Sequence, residues 1–326
     1  MFLERRVWPI VFHYHDCRGL RLSHKARLEL ASVADRPLVD GFLLGLPKCG
    51  TTWLSDILSQ NPSISFSDPK EPNILASHRG TFGRYDDEPD FGEYNRVFKG
   101  DGLRVDGSVH AFSCPEAPKR VLEVNPEARF VICLREPVER AFSHWKMVRD
   151  NGADRRHGSN WSDFVRAWED QRLRDDSIWS GSMSRWLQVF EIDRFLFVDS
   201  ARMREEPEEV LAAVTSHLSL DPFDYDFTMS VNANLSRNRR SQTLLGRSLK
   251  TIIRLIPEPI RRRLSSPLRR RGLNIYNLPI ISRAGESAKL GREHYRVCEG
   301  EVVPDLARFE EITGFSTGHW LEGFGL

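Results

Sequence analysis

The chain has 326 residues, 40% of them apolar, which is enough for one large domain or two ordinary ones. Lys and Arg number 47 against 46 Asp and Glu, a balance that excludes a generally basic nucleic-acid coat and an acidic disordered chain. No stretch approaches the ~20 uninterrupted apolar residues that cross a bilayer. Residues 7–12, broken by Pro9, are too short for a signal-peptide core, so a cytoplasmic location is expected. Five scattered cysteines (Cys17, Cys49, Cys114, Cys133, Cys298) argue against a disulfide framework, and there is no CxxC or HExxH. His13 and His15 read as a surface pair, and no metal is expected.

Residues 1–37 read as an N-terminal arm in which Leu20, Leu22, Leu28 and Leu30 are mixed with basic residues. The apolar run 38–45 reads as a buried strand, broken sharply by the turn at Gly45–Gly50. Residues 51–60 then read as a helix with Leu54, Ile57 and Leu58 inward, stopped near Asn61-Pro62. Residues 129–134 form a second buried strand, and Pro137 suits a first helical position. Val138, Ala141, Phe142, Trp145 and Val148 follow at helical spacing. A third strand is expected at 194–198, a helix from Pro207 with Glu208 and Glu209 in its first turn, and a last helix at 302–313. Strand, loop and helix recurring in this way imply an α/β fold. We expect a single domain over 38–326, with a mainly parallel central sheet flanked by helices and a P-loop-like phosphate-binding loop.

One segment differs in composition. Residues 237–271 hold twelve Lys or Arg and one acid, Glu258. Within it Arg247, Lys250 and Arg254 share one helical face, and Leu245, Leu249, Ile252 and Ile256 the other. A basic amphipathic insertion or lid over about 237–285, walling an acceptor cleft, is the expectation. Peripheral membrane contact through 244–271 is the alternative.

The loop Gly45-Leu-Pro-Lys48-Cys49-Gly50-Thr51-Thr52, between a strand and a helix, aims backbone N–H groups and a helix N-terminus at one place. Lys48 adds a charge and the two threonines add hydroxyls, so the loop is built for an oxyanion. It is not GxxxxGK[ST], because the lysine precedes the second glycine. The run Pro47-Lys48-Cys49-Gly50-Thr51-Thr52-Trp53-Leu54 instead resembles the 5′-phosphosulfate loop of sulfotransferases that use 3′-phosphoadenosine 5′-phosphosulfate (PAPS). Leu134-Arg135-Glu136-Pro137-Val138-Glu139-Arg140-Ala141-Phe142-Ser143-His144 resembles the family's 3′-phosphate motif. Lys70-Glu71-Pro72, Trp186-Leu187, Glu206-Pro207 and Trp320 are weaker echoes.

The resemblance implies a PAPS-dependent sulfotransferase acting by in-line sulfuryl transfer. Lys48 would neutralise the leaving 5′-phosphate, and Cys49, Gly50, Thr51 and Thr52 would cradle it. Arg135 and Ser143 would grip the 3′-phosphate, and Trp53 would stack on adenine. Arg283, in Arg283-Ala284-Gly285, resembles a further 3′-phosphate contact. For the base that takes the acceptor's proton, the carbohydrate-type members point to Glu71 and the cytosolic members to His110. Gly107 stands where the carbohydrate-type segment has a lysine, and His110 is a candidate to supply the missing charge. PAPS is the expected cosubstrate, without a metal, and the acceptor is a small molecule, glycan or lipid. A P-loop-type nucleotide kinase and a non-enzymatic anion or membrane-surface binder are the rival readings.

Overall fold

The computed structural model describes residues 38–227 and 288–326, together with the backbone of 241–242 and 282–283. The arm at 1–37 lies outside them, as does the basic segment 237–271 apart from that short backbone stretch. Five strands form the central sheet: β1 (Gly41–Gly45), β2 (Ile64–Phe66), β3 (Leu103–Asp106), β4 (Arg129–Leu134) and β5 (Phe195–Asp199). Their order is β2-β3-β1-β4-β5, and every pairing is parallel. All five β1 residues and 130–134 of β4 are buried, as strands covered on both faces must be.

Six helices matter most to the site: α1 (Thr51–Leu58), α2 (Ala117–Val124), α3 (Pro137–Asn151), α4 (Ser180–Leu187), α5 (Pro207–His217) and α6 (Arg292–Thr313). The expected strands and helices are present, with ends moved by up to three residues. The last helix is the exception, since it begins at Arg292 rather than 302. Its first turns are polar and bury only Cys298 before Val302, so the apolar period is weak there. Pro304, inside the helix, costs one internal hydrogen bond. The next residue, Asp305, is anchored elsewhere: its carboxylate accepts from Trp179 N (2.6 Å) and Ser180 N (3.1 Å), at the start of α4. The polar side of α6 thus docks a neighbouring helix.

Phe130 of β4 is the centre of the core. Its ring lies 4.6–5.8 Å from those of Phe195, Phe190, Trp186 and Phe42, drawing β1, β4, β5 and α4 together. Edge-to-face and offset contacts of this kind add to the burial of area. Trp320 closes the far side against Trp179 and Phe315, both at 5.6 Å.

The order matters for function. The chain leaves β1 towards β2 on one side and leaves β4 towards β5 on the other. The loops after β1 and β4 therefore diverge and open a crevice at the carboxyl ends of the strands. At the end of β1 the register slips, with Leu43 facing Val131 and Gly45 facing Ile132, which turns the chain out of the sheet.

Replacing Phe130 by Ala should remove the contact shared by four elements and cost about 3–5 kcal/mol in a urea titration with little change in m-value. A loss under ~1 kcal/mol would show that the core does not converge on this ring.

Candidate active site

The loop after β1 is held at three points. Leu46 N donates to Cys133 O of β4 (2.8 Å), Cys49 N donates to Leu46 O (3.1 Å), and Leu54 N donates to Gly50 O (3.1 Å) to begin α1. Lys48 and Gly50 both adopt left-handed backbone, with φ of 77° and 87°. For lysine that conformation costs of order 1 kcal/mol, and two left-handed residues, separated by one residue, turn the chain sharply between β1 and α1. Glycine is needed at 50 because a Cβ there would also meet Met203 Sδ at 3.1 Å.

The two relevant helix N-termini are treated differently. On α3, both carboxylate oxygens of Glu136 accept backbone donors, from Val138 N (2.9 Å) and Glu139 N (2.7 Å). On α1, Gly50 supplies no side-chain cap and the first turn has no acid. Only α1 is left suited to an external anion.

The face of α3 defined by Glu139, Ser143 and Met147, four residues apart, lines the crevice between the loops. At one end, Arg135 forks onto Glu139, with Nε at 3.1 Å and Nη2 at 2.9 Å from Oε2. At the other end Lys48 Nζ approaches Met147 Sδ at 3.8 Å. Ser143 lies between them, half-buried. Lys48, Arg135 and Ser143, far apart in sequence, thus share one strip of surface.

The next segments come from the ends of β2 and β3. Lys70 Nζ lies 3.2 Å from Glu71 Oε1 and 3.3 Å from Thr51 Oγ1. Ser108 Oγ accepts from Asn73 N (2.9 Å), tying the Glu71 segment to the turn that carries His110. His110 is buried, its Nδ1 3.9 Å from Asp176 Oδ2, whereas Glu71 is partly exposed at the crevice. Trp53 is half-buried on α1 and packs against the core, while Thr52 is exposed. Cys49 is fully buried; burial pushes its thiol up to about 12, and its N–H is engaged within the loop. Its part is therefore to support the loop, not to present a ligand group. The Arg283 side chain lies outside the described residues; its backbone pairs with Ser241. Among the described residues no cluster of three or more His, Cys, Asp or Glu side chains could hold a metal ion. None of the described helices is long and apolar enough to cross a membrane.

Sequence reasoning missed the layer beneath. Arg140 is fully buried and donates to Pro47 O in the loop (3.3 Å), to Leu173 O (3.0 Å) and to Ser177 Oγ (2.6 Å). It also faces His144 Nδ1 at 3.1 Å. Burial, then the Arg140 charge, hold His144 well below the usual imidazole range, so it is neutral. A guanidinium can only donate, so Nδ1 is the acceptor and Nε2–H donates to Thr81 Oγ1 at 2.7 Å. Asp176 completes the set, 3.7 Å from His144. The i, i+4 spacing of Arg140 and His144 was the one signal available; nothing in the sequence pointed to Asp176 or Ser177.

A family model described as the sulfotransferase domain matches residues 39–242, more than half of the chain. The chain belongs to the sulfotransferase family. The human heparan sulfate glucosamine 3-O-sulfotransferase 5 is 24% identical over 212 residues, covering 60% of this chain and 58% of that protein. The bifunctional heparan sulfate N-deacetylase/N-sulfotransferase 1 of Caenorhabditis elegans is 23% identical over 209 residues, covering 59% of this chain and 23% of that protein. The match thus spans little more than half of one relative and under a quarter of the other. A crystal structure of a sulfotransferase from Alicyclobacillus acidocaldarius superposes with a TM-score of 0.58 at 19% identity, covering 86% of this chain and 98% of that one. That likeness supports the sulfotransferase fold, a five-stranded parallel sheet flanked by helices.

Glu136 makes the α3 cap sensitive to pH. Burial raises its carboxyl from 4.5 to about 7, against the pull of its two backbone donors, and Tyr295 of α6 donates to it at 3.2 Å. A raised carboxyl favours the fold most below its unfolded value and loses that contribution as pH rises through the folded one. The stability of the native chain relative to Glu136→Gln should therefore fall by about 3 kcal/mol between pH 4.5 and 8 and be level below that range. Equal pH profiles for the two proteins, measured by denaturant unfolding, would refute the assignment.

Proposed function

We propose that the protein moves the sulfuryl group of PAPS to a hydroxyl or amine of a glycan acceptor. The observation that carries this reading is the strip joining Lys48, Ser143 and Arg135 at the diverging ends of β1 and β4, beside an α1 N-terminus left uncapped by any side chain. The donor set suits a nucleotide with phosphates at both ends. A curled backbone loop, an ammonium and hydroxyls fit the 5′-phosphate, and a forked guanidinium with a serine hydroxyl fits the 3′-phosphate. A glycan acceptor is supported by the relatives, which are heparan sulfate enzymes by name.

In the reaction the acceptor oxygen or nitrogen attacks sulfur, the bond from sulfur to the 5′-phosphate oxygen breaks, and the acceptor's proton passes to a base. Charge grows on the leaving phosphate oxygen, where Lys48 stabilises it without moving a proton. Arg135 and Ser143 hold the far end of the nucleotide, and Thr51 and Thr52 hold the near end. Glu71 takes the proton: it is the partly exposed carboxylate beside the loop, whereas His110 is buried near Asp176.

Lys48→Ala should lower kcat by ~10²–10³ while the affinity for PAP (the desulfonated product) changes little. Arg135→Ala should weaken PAP binding by ~1.5–3 kcal/mol in calorimetry, because it removes ground-state contacts. Near-normal turnover of the first variant, or near-normal PAP affinity of the second, contradicts the role concerned.

Glu71→Gln preserves shape but cannot accept a proton, so single-turnover transfer of labelled sulfate should slow by ~10²–10⁴ with PAP affinity retained. A larger loss in His110→Ala than in Glu71→Gln would move the base to His110.

A further inference from the structure

Lys70 occupies a position that the loop motif does not account for. Its ammonium touches three acceptors from three segments: Glu71 Oε1 at 3.2 Å, Thr51 Oγ1 at 3.3 Å and Gly107 O at 3.5 Å. Its carbonyl accepts from Ser67 Oγ at 2.7 Å and from Gly107 N at 3.2 Å, so the base of the side chain is fixed as well. The three contacts match the three protons of an ammonium.

Gly107 explains the placement. A Cβ at 107 would lie 2.8 Å from Lys70 O, 2.9 Å from its Cγ and 3.4 Å from its Cε. The backbone oxygen cannot give way easily, so a side chain at 107 and this path of Lys70 are mutually exclusive. The glycine there is room cleared for a cation that arrives from the neighbouring loop. The His110 ring is buried, with Nδ1 3.9 Å from Asp176 Oδ2.

We propose that Lys70 is a second catalytic cation of this site, contacting the sulfuryl oxygens during transfer. The inference rests on the sulfuryl-transfer reading above. Thr51 opens α1 at the phosphate loop and Glu71 is the base of that reading. A sulfuryl group passing from a phosphate held by the loop to an acceptor served by Glu71 crosses the gap that Lys70 spans. The S–O bond to the phosphate breaks, the S–O or S–N bond to the acceptor forms, and the proton goes to Glu71. Lys70 exchanges no proton. It trades its longest contact, to Gly107 O, for a sulfuryl oxygen and keeps Glu71 aimed. Lys48 and Lys70 thus divide the charge: Lys48, at Met147, serves the leaving oxygen, and Lys70, at Thr51, serves the group in flight.

The test compares PAPS, which carries the sulfuryl group, with PAP, which lacks it. Lys70→Met keeps the apolar stem and should leave PAP affinity within about twofold by calorimetry. It should weaken PAPS about tenfold and lower kcat by ~10²–10³. Gly107→Ala, which displaces the lysine from the other side, should do the same with Lys70 intact. Turnover within threefold of wild type in Lys70→Met or Gly107→Ala overturns the proposal. Equal losses of PAP and PAPS affinity also overturn it, because they indicate a structural role. Should Lys70→Met fail to fold by circular dichroism, Gly107→Ala alone decides. Wild-type protein that neither binds PAP nor transfers label from PAPS would overturn the parent reading and this inference with it. A working wild type beside an unimpaired Lys70→Met overturns this inference alone.

Discussion

The site depends on a guanidinium that never meets solvent. Arg140 is fully buried, and a buried charge is tolerated only where its donors are met. Here Pro47 O, Leu173 O, Ser177 Oγ and His144 Nδ1 meet them. One of those acceptors is the loop that curls around the expected phosphate. The left-handed backbone at Lys48 is unfavourable for a lysine and persists because the loop is fixed at both ends, to β4 by Leu46 and to α3 through Arg140. The second element lining the crevice, α3, supplies that anchor. The two halves of the site are thus bonded to each other from below, and their spacing does not rely on loops alone.

The same layer accounts for the state of the histidines. Three lie close to Asp176 and to one another, and the arginine charge makes protonation costly for those it touches. His144 is held neutral by burial and Arg140. Burial lowers His78 to about 4, with the nearby Arg84 charge acting in the same direction. A neutral His144 can accept from Arg140 and donate to Thr81 at once, which an imidazolium could not do. The layer is a hydrogen-bonded support beneath the phosphate loop.

Much of this was legible in the sequence, and what was not has physical reasons. Buried parallel strands such as 41–45 and 129–134 read as apolar runs bounded by turns, and Pro137 announced a helix start. The family followed from two motifs on adjacent strands. The start of α6 was missed because its inward face begins with Cys298 and its docking contact is an aspartate, neither of which makes a hydrophobic period. Lys70 stood out only as part of the Lys70-Glu71-Pro72 echo. Its contact with Thr51 depends on β3 pairing with β1 and β2 lying beyond it on the same side of the sheet, a fact of topology that no local window holds. Gly107 was read as a missing lysine, since the sequence records the lost side chain and not the space it leaves.

Cations at the crevice are paired before any anion arrives. Arg135 is forked onto Glu139 and Lys70 is bonded to Glu71. These pairs are partly exposed, so each contributes little to stability, and their geometry matters more than their energy. A guanidinium already held flat against one face of α3 loses less side-chain freedom when a phosphate joins it than a free arginine would. The two carboxylates have different fates when an anion binds. In the proposed reaction Glu139 keeps its place on α3 and shares Arg135 with the incoming phosphate, which limits affinity and so favours product release. Glu71, in the proposed reaction, becomes protonated as the sulfuryl group departs, which loosens its hold on Lys70 as the negative charge on the sulfated product increases. On this account the Lys70–Glu71 pair is coupled to the chemistry: the base gives up its charge as the neighbouring cation gains another anion to stabilise.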